Sequence, residues 1–171
     1  MKPVSANAMK AESALTKMRK RSSYRPKRII PDIVSHVIGG FRPVREVGHA
    51  VTLKIRNHAA MNSMVHGTGT RDDIDELIAA MNVSEALAIT CGLGDEYRKE
   101  ITAAQDAIFS MGRRGLDKGR FLFTGPEIQA MNLGMEIHDA QLDVCTVEQL
   151  EKALDFVSRE LRARRAREIA A

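Results

Sequence analysis

Aromatic side chains are scarce in this chain: 171 residues hold five Phe, two Tyr and no Trp. Sheets draw heavily on aromatic and β-branched residues, so this scarcity weighs against a β architecture. Cysteine is as sparse. Cys91 and Cys145 stand alone at a spacing that fits no metal or redox motif, which argues against a disulfide scaffold and for reduced, buried thiols. No stretch approaches the roughly 20 apolar residues that a membrane span requires, and the positively charged N-terminus is followed by no apolar signal region. A Gly-rich phosphate loop, a nucleophile with a matching base and a paired metal motif are also missing. The expectation is a soluble cytoplasmic protein with no cofactor or metal assigned, and a non-enzymatic role is favoured over an enzymatic one.

Ala, Leu, Ile and nine Met supply the apolar volume, a composition suited to packed helices. The length fits one core with appendages. Charge is segregated. Residues 1–30 hold nine Lys/Arg against the single acid Glu12, residues 31–158 hold 12 against 19 acids, and residues 159–171 hold five against two. The formal net charge of +4 therefore conceals basic ends around an acidic middle.

The first half of the basic N-terminal arm, residues 5–19, can form a short helix, whereas the run from Lys17 to Arg28 contains Ser22, Ser23 and Pro26 and reads as extended or disordered. Pro31 is placed to open a short helix through Ile38 that Gly39, Gly40 and Pro43 end. A longer helix is expected from about Arg45 to Val65. Thr70 with Asp73 forms a capping arrangement for the next, which carries Ile74, Leu77, Ile78 and Met81 at helical spacing as far as Thr90. Tyr97, Ile101, Ala104, Ile108 and Met111 mark a helix that ends before Gly115, with a basic loop from Arg113 to Arg120. Thr124, Pro126 and Glu127 start another, reaching about Asp143. Thr146 and Gln149 form a capping box for the last, on which Val147, Leu150, Leu154, Val157 and Leu161 repeat at 3-4-3-4 spacing. The fold class is all-α: one compact bundle of six to seven helices over residues 31–171, with a basic arm over 1–30.

Two groups of residues carry candidate function. The first is the arm, where Lys17, Arg19, Lys20, Arg21, Arg25, Lys27 and Arg28 are cationic and Tyr24 offers a stacking ring, the composition of a phosphate-contacting segment. Its bland counterpart is a solvated tail that aids solubility, or one that docks onto the protein's own acidic body. A transit peptide or nuclear signal has the same composition and ranks below both. A helix-turn-helix over Ser84 to Gln105 fits poorly, because its recognition helix would open with Asp95 and Glu96, which repel phosphate.

The second group is on the Pro126–Asp143 helix. Ile128, Met131, Met135 and Leu142 share one face with His138, Leu133 and Ile137 form a second apolar strip, and Asn132, Glu136, Asp139 and Asp143 line up between them. Two apolar strips predict neighbours on two sides, which makes this helix the expected centre of the bundle. His58 falls among Val47, Val51 and Val65 on the earlier helix. Two histidines beside an acidic stripe can converge into a metal or acid/base site, but the Glu-x-x-His spacing of carboxylate-bridged bundles is absent, and core histidines beside a solvated stripe are the plainer reading. The seam on the last helix lasts about two heptads before Arg164, so core packing is favoured over a dimer zipper. Arg159, Arg162, Arg164, Arg165 and Arg167 suit a helix C-terminus.

The stretches Ile55-Arg56-Asn57-His58-Ala59-Ala60-Met61 and Asn132-Leu133-Gly134-Met135-Glu136-Ile137-His138-Asp139-Ala140-Gln141-Leu142-Asp143 resemble small uncharacterised proteins of proteobacterial temperate phages and integrated elements. The resemblance implies a mobile-element origin, an accessory or regulatory role, and a bacterial or host cytosol. Three functions stay open: a binding protein whose arm meets nucleic acid or another polyanion and whose body forms homo-oligomers or grips a protein; a pure protein-interaction module, such as an inhibitor of a host enzyme, whose arm wedges into an acidic groove; and an enzyme or metal protein built on His58, His138 and the Glu136/Asp139/Asp143 stripe.

Overall fold

A computed structural model of the chain describes residues 40–46, 48–165 and 169. The basic arm, the helix expected over 5–19 and the short helix from Pro31 lie outside these residues. Five α-helices are described, α1 (His49–His66), α2 (Arg71–Cys91), α3 (Arg98–Lys118), α4 (Gly125–Val144) and α5 (Val147–Arg162), with 3-10 turns at Val44–Glu46 and Asp95–Tyr97. The described region is an all-α bundle with no strand among the described residues, and five helices stand where six to seven were expected.

Helix starts follow the local sequence. At α2 the Thr70 hydroxyl accepts from the Asp73 N–H, while the Asp73 carboxylate accepts from the Thr70 N–H at 2.8 Å. Thr146 and Gln149 reciprocate in the same way at α5. At α4 the Glu127 carboxylate accepts from the Thr124 N–H at 2.7 Å. Each box satisfies N–H groups that a helix start leaves unpaired.

Three expectations are corrected. First, α1 begins at His49 and not near Arg45, because the preceding residues are clipped elsewhere. Val44 is buried, its N–H donates to the Cys145 carbonyl, and the Val147 N–H donates to the Arg42 carbonyl. Second, α3 continues through Gly115 to Lys118, so most of the expected basic loop is helical. Gly115 is a point of close approach: a Cβ there would overlap the Phe121 ring. The stop is Gly119, in the left-handed region at φ 68°.

Third, the centre of the bundle is α2 and not α4. α2 packs against all four other helices, and it buries Ile74, Leu77, Met81, Val83 and Leu87 around its circumference, spaced by alanines that let neighbours close in. α4 is in tightest register with α3, where a Cβ at Gly134 would lie 2.6 Å from the Ala104 Cβ. Its second apolar strip is only half covered. Ile137 is buried against Ala88 and Ile101, whereas Leu133 is 44 % exposed.

The core falls into two main clusters. One, rich in methionine, joins α1 to α4 through Met61, Met64, Met81, Met111, Met131 and Met135, flexible side chains that fill an irregular interior. The other gathers Val44, Val83, Leu87, Leu142, Cys145 and Ala153 where α5 docks on α2. The heptad stripe of α5 is shared between core and solvent. Val147, Leu150 and Val157 pack inward with Ala153 and Phe156, while Leu154 and Leu161 are about half exposed. Both cysteines are free; burial pushes the Cys145 thiol up to about 11, and Cys91 is half-buried.

Candidate functional site

Between the two apolar clusters runs a layer of buried polar side chains: Asn57 on α1, Ser84 on α2, and His138 with Gln141 on α4. Asn57 and His138 sit where helical spacing passes from one cluster to the other. Leu53 belongs to the second cluster and Ala60, Met61 and Met64 to the first, with Asn57 between them. His138 likewise separates Met135 from Leu142.

The α2–α4 part of the layer is closed. The Ser84 hydroxyl donates to Gln141 Oε1 at 2.6 Å, and Gln141 Nε2 donates to the carbonyls of Ser84 at 3.0 Å and Leu93 at 2.8 Å. The α1–α4 part is open. Among the described residues neither the Asn57 amide nor either ring nitrogen of His138 has a hydrogen-bond partner, although both side chains are buried. Burial holds the His138 imidazole down at about 4; the neighbouring Asp139 carboxylate opposes this, and the Lys54 and His58 charges add to it. The ring is therefore neutral near pH 7.

On the solvent side of the same seam an ion pair and a histidine–carboxylate hydrogen bond cross from α1 to α4. Lys54 Nζ lies 2.7 Å from Asp143 Oδ1, and His58 Nε2 lies 2.8 Å from Asp139 Oδ2. Lys54 and His58 are one turn apart, as are Asp143 and Asp139 in the reverse order, so the two helices run antiparallel here. In that register Asn57 and His138 lie within about a half-turn of the same height. The other oxygen of Asp139, Oδ1, is buried and without a partner among the described residues.

The sequence-predicted polar residues are thus placed in three settings. His58 and Asp139 meet, and Asp143 is taken by Lys54, which the sequence argument did not single out. His138 is sealed in the interior. Asn132 and Glu136 are exposed on the outer side of α4. His58 and Val51 share a helix face as expected, but that face looks to solvent, with Val51 57 % exposed. The inward phase of α1 follows Leu53, Asn57, Ala60, Met61 and Met64, a 4-3-1-3 spacing that would have identified Asn57. No group of three or more His, Cys, Asp or Glu side chains among the described residues is arranged to hold a metal ion. The eight arm residues, Lys17 to Arg28, lie outside the described region.

A second polar anchor joins α3 to α4. Arg114, expected in a loop, donates from its two terminal nitrogens to the Glu127 carboxylate at 2.9 and 2.6 Å and also reaches the Leu122 carbonyl. Burial alone would raise the Glu127 carboxyl; the Arg114 guanidinium and the Thr124 cap bonds outweigh it and hold the group below the ordinary carboxylate range.

No helix among the described residues is long and apolar enough to cross a membrane. Comparison with protein-family models, with curated proteins and with solved structures finds no match.

Proposed function

We propose that the chain is a non-enzymatic accessory or regulatory binding protein. The cationic segment from Lys17 to Arg28 contacts nucleic acid or another polyanion, and the helical body makes self-association or protein contacts. The observation that carries this reading is the segregation of charge, with nine Lys/Arg and one acid in the first 30 residues against an acidic excess over residues 31–158. The site geometry supports it. Asp139 and Asp143 are engaged by His58 and Lys54 in cross-helix contacts, and His138 is closed off from solvent, so these candidate groups do not converge on an accessible site. An accessory role in a bacterial mobile element is the setting the sequence resemblance suggests.

Gel shifts of the full-length chain on duplex and single-stranded DNA and on RNA, run across a salt series, test the reading. If about five of the seven cations meet phosphates, the logarithm of affinity falls against the logarithm of salt with a slope of roughly −4 to −5. Replacing all seven with Gln removes the shift. A flat salt dependence, or binding untouched by the replacement, refutes the nucleic-acid assignment.

A further inference from the structure

We propose that the outer face of α4 is a docking groove for a cationic amphipathic helix of another protein. This rests on reading the helical body as a protein-contact surface and names the chemistry of the contact.

Leu133, Ile137, Ala140 and Val144 follow one another at 4-3-4 spacing, the repeat with which one helix receives the side chains of another. On α4 this seam has no helix against its outer edge among the described residues. Leu133 and Val144 are 44 % and 64 % exposed, and Ile137 forms the buried floor. Opposite stands the turn after α2, where Leu93 and Tyr97 complete a cleft of about 430 Å³. Tyr97 is 48 % exposed. The seam runs over 12 residues, from Leu133 to Val144, about 16 Å of helix, or three turns of a partner.

Charge selects the occupant. The cleft is lined by Glu96 and Glu136, with no Lys or Arg among its lining residues. A second copy of the chain is the poorer fit. An antiparallel pairing would set Leu133 opposite the second Val144 and Ile137 opposite the second Ala140, but it would also bring the two Glu136 carboxylates to within about 7.5 Å along the axis, inside a physiological Debye length. A parallel pairing would put them face to face. A helix with apolar residues at i, i+4, i+7 and i+11 and Lys or Arg beside them meets both the apolar floor and the acidic rim.

The test is fluorescence anisotropy of a labelled 18-residue helical peptide, with Leu at those positions and Lys elsewhere, titrated with the full-length protein at physiological salt. A second peptide carries Glu in place of Lys. The expected result is saturable binding of the Lys peptide, about tenfold or more tighter than that of the Glu peptide. Leu133→Asn and Val144→Asn each weaken it by about fivefold or more without changing the circular dichroism, since both sites are exposed. Glu136→Lys reverses the peptide preference, and Glu151→Gln on α5 leaves binding unchanged. Equal binding of the two peptides, or indifference to both Asn variants, overturns the proposal. So does a dimer in sedimentation velocity that Leu133→Asn dissociates, which would make a second copy the occupant. None of these outcomes depends on the gel shifts, so the nucleic-acid reading and this one fail separately.

Discussion

Ser84 with Gln141 and Asn57 with His138 occupy the same buried layer, at matching depth, and do opposite things for the fold. The first pair forms one hydroxyl-to-amide bond and two amide-to-carbonyl bonds, all inside the protein. The second makes no hydrogen bond to any described residue. Burial of a polar group is neutral to favourable when its bonds are made inside and costly when they are not. The α2–α4 side of the layer is therefore a lock that fixes the register of α4 on the central helix α2. The α1–α4 side is a weak seam, fastened at its rim by the partly exposed Lys54–Asp143 ion pair and the His58–Asp139 hydrogen bond, contacts of the kind worth at most about 1 kcal/mol each.

The sharpest way to break this contrast is Gln141→Leu. It keeps the volume roughly constant but strands the Ser84 hydroxyl and the Leu93 carbonyl, so urea unfolding should show a loss of about 3 kcal/mol or more. His138→Leu, of comparable volume, deletes no protein bond and should leave stability at pH 7 within about 1 kcal/mol of the parent or above it. A loss as large as that of Gln141→Leu would mean the two sides are alike.

Acid comes next. The His138 ring titrates near 4 in the folded chain and near 6.5 when free, so the unfolded state takes up the proton first. Stability is fully present above about pH 6.5 and falls as pH drops toward 4, by roughly 3 kcal/mol over that window. Melting curves of the parent should show this slope, and those of His138→Leu should lack most of it. The smallest effect belongs to the rim. His58→Ala removes the bond to Asp139 and should cost about 0.5 kcal/mol, as read by denaturant midpoint.

Helix positions were legible because they are written locally. Thr70 with Asp73, Thr124 with Glu127, and Thr146 with Gln149 mark three starts that the structure reproduces. What was not legible depends on partners. Gly115 looks like a helix stop until Phe121 is seen packed on it, and the apolar strip at Leu133 looks like a core face until its outer edge is found uncovered. α2 and α4 carry equal numbers of large apolar side chains, so neither stands out in the sequence, and it is the alanines of α2 that let four helices approach it. At the candidate site, His58 and Asp139 were both named from sequence and do meet, while Asn57 was missed because α1 was read in the phase of Val51. The wheel was right about which residues share that face, and only the neighbouring helices decide which way it turns.

The short segment ahead of α1 has a consequence for how the chain is threaded. Its residues 42–44 clasp the corner between α4 and α5 through paired backbone bonds, so the beginning of the described region is fastened to the start of its last helix like the two halves of a buckle. A protease cut within the 119–124 connector would divide the polypeptide into two pieces that still embrace each other, with Arg114 gripping Glu127 across the gap. Integrity of the backbone and integrity of the assembly are, in this architecture, separable properties.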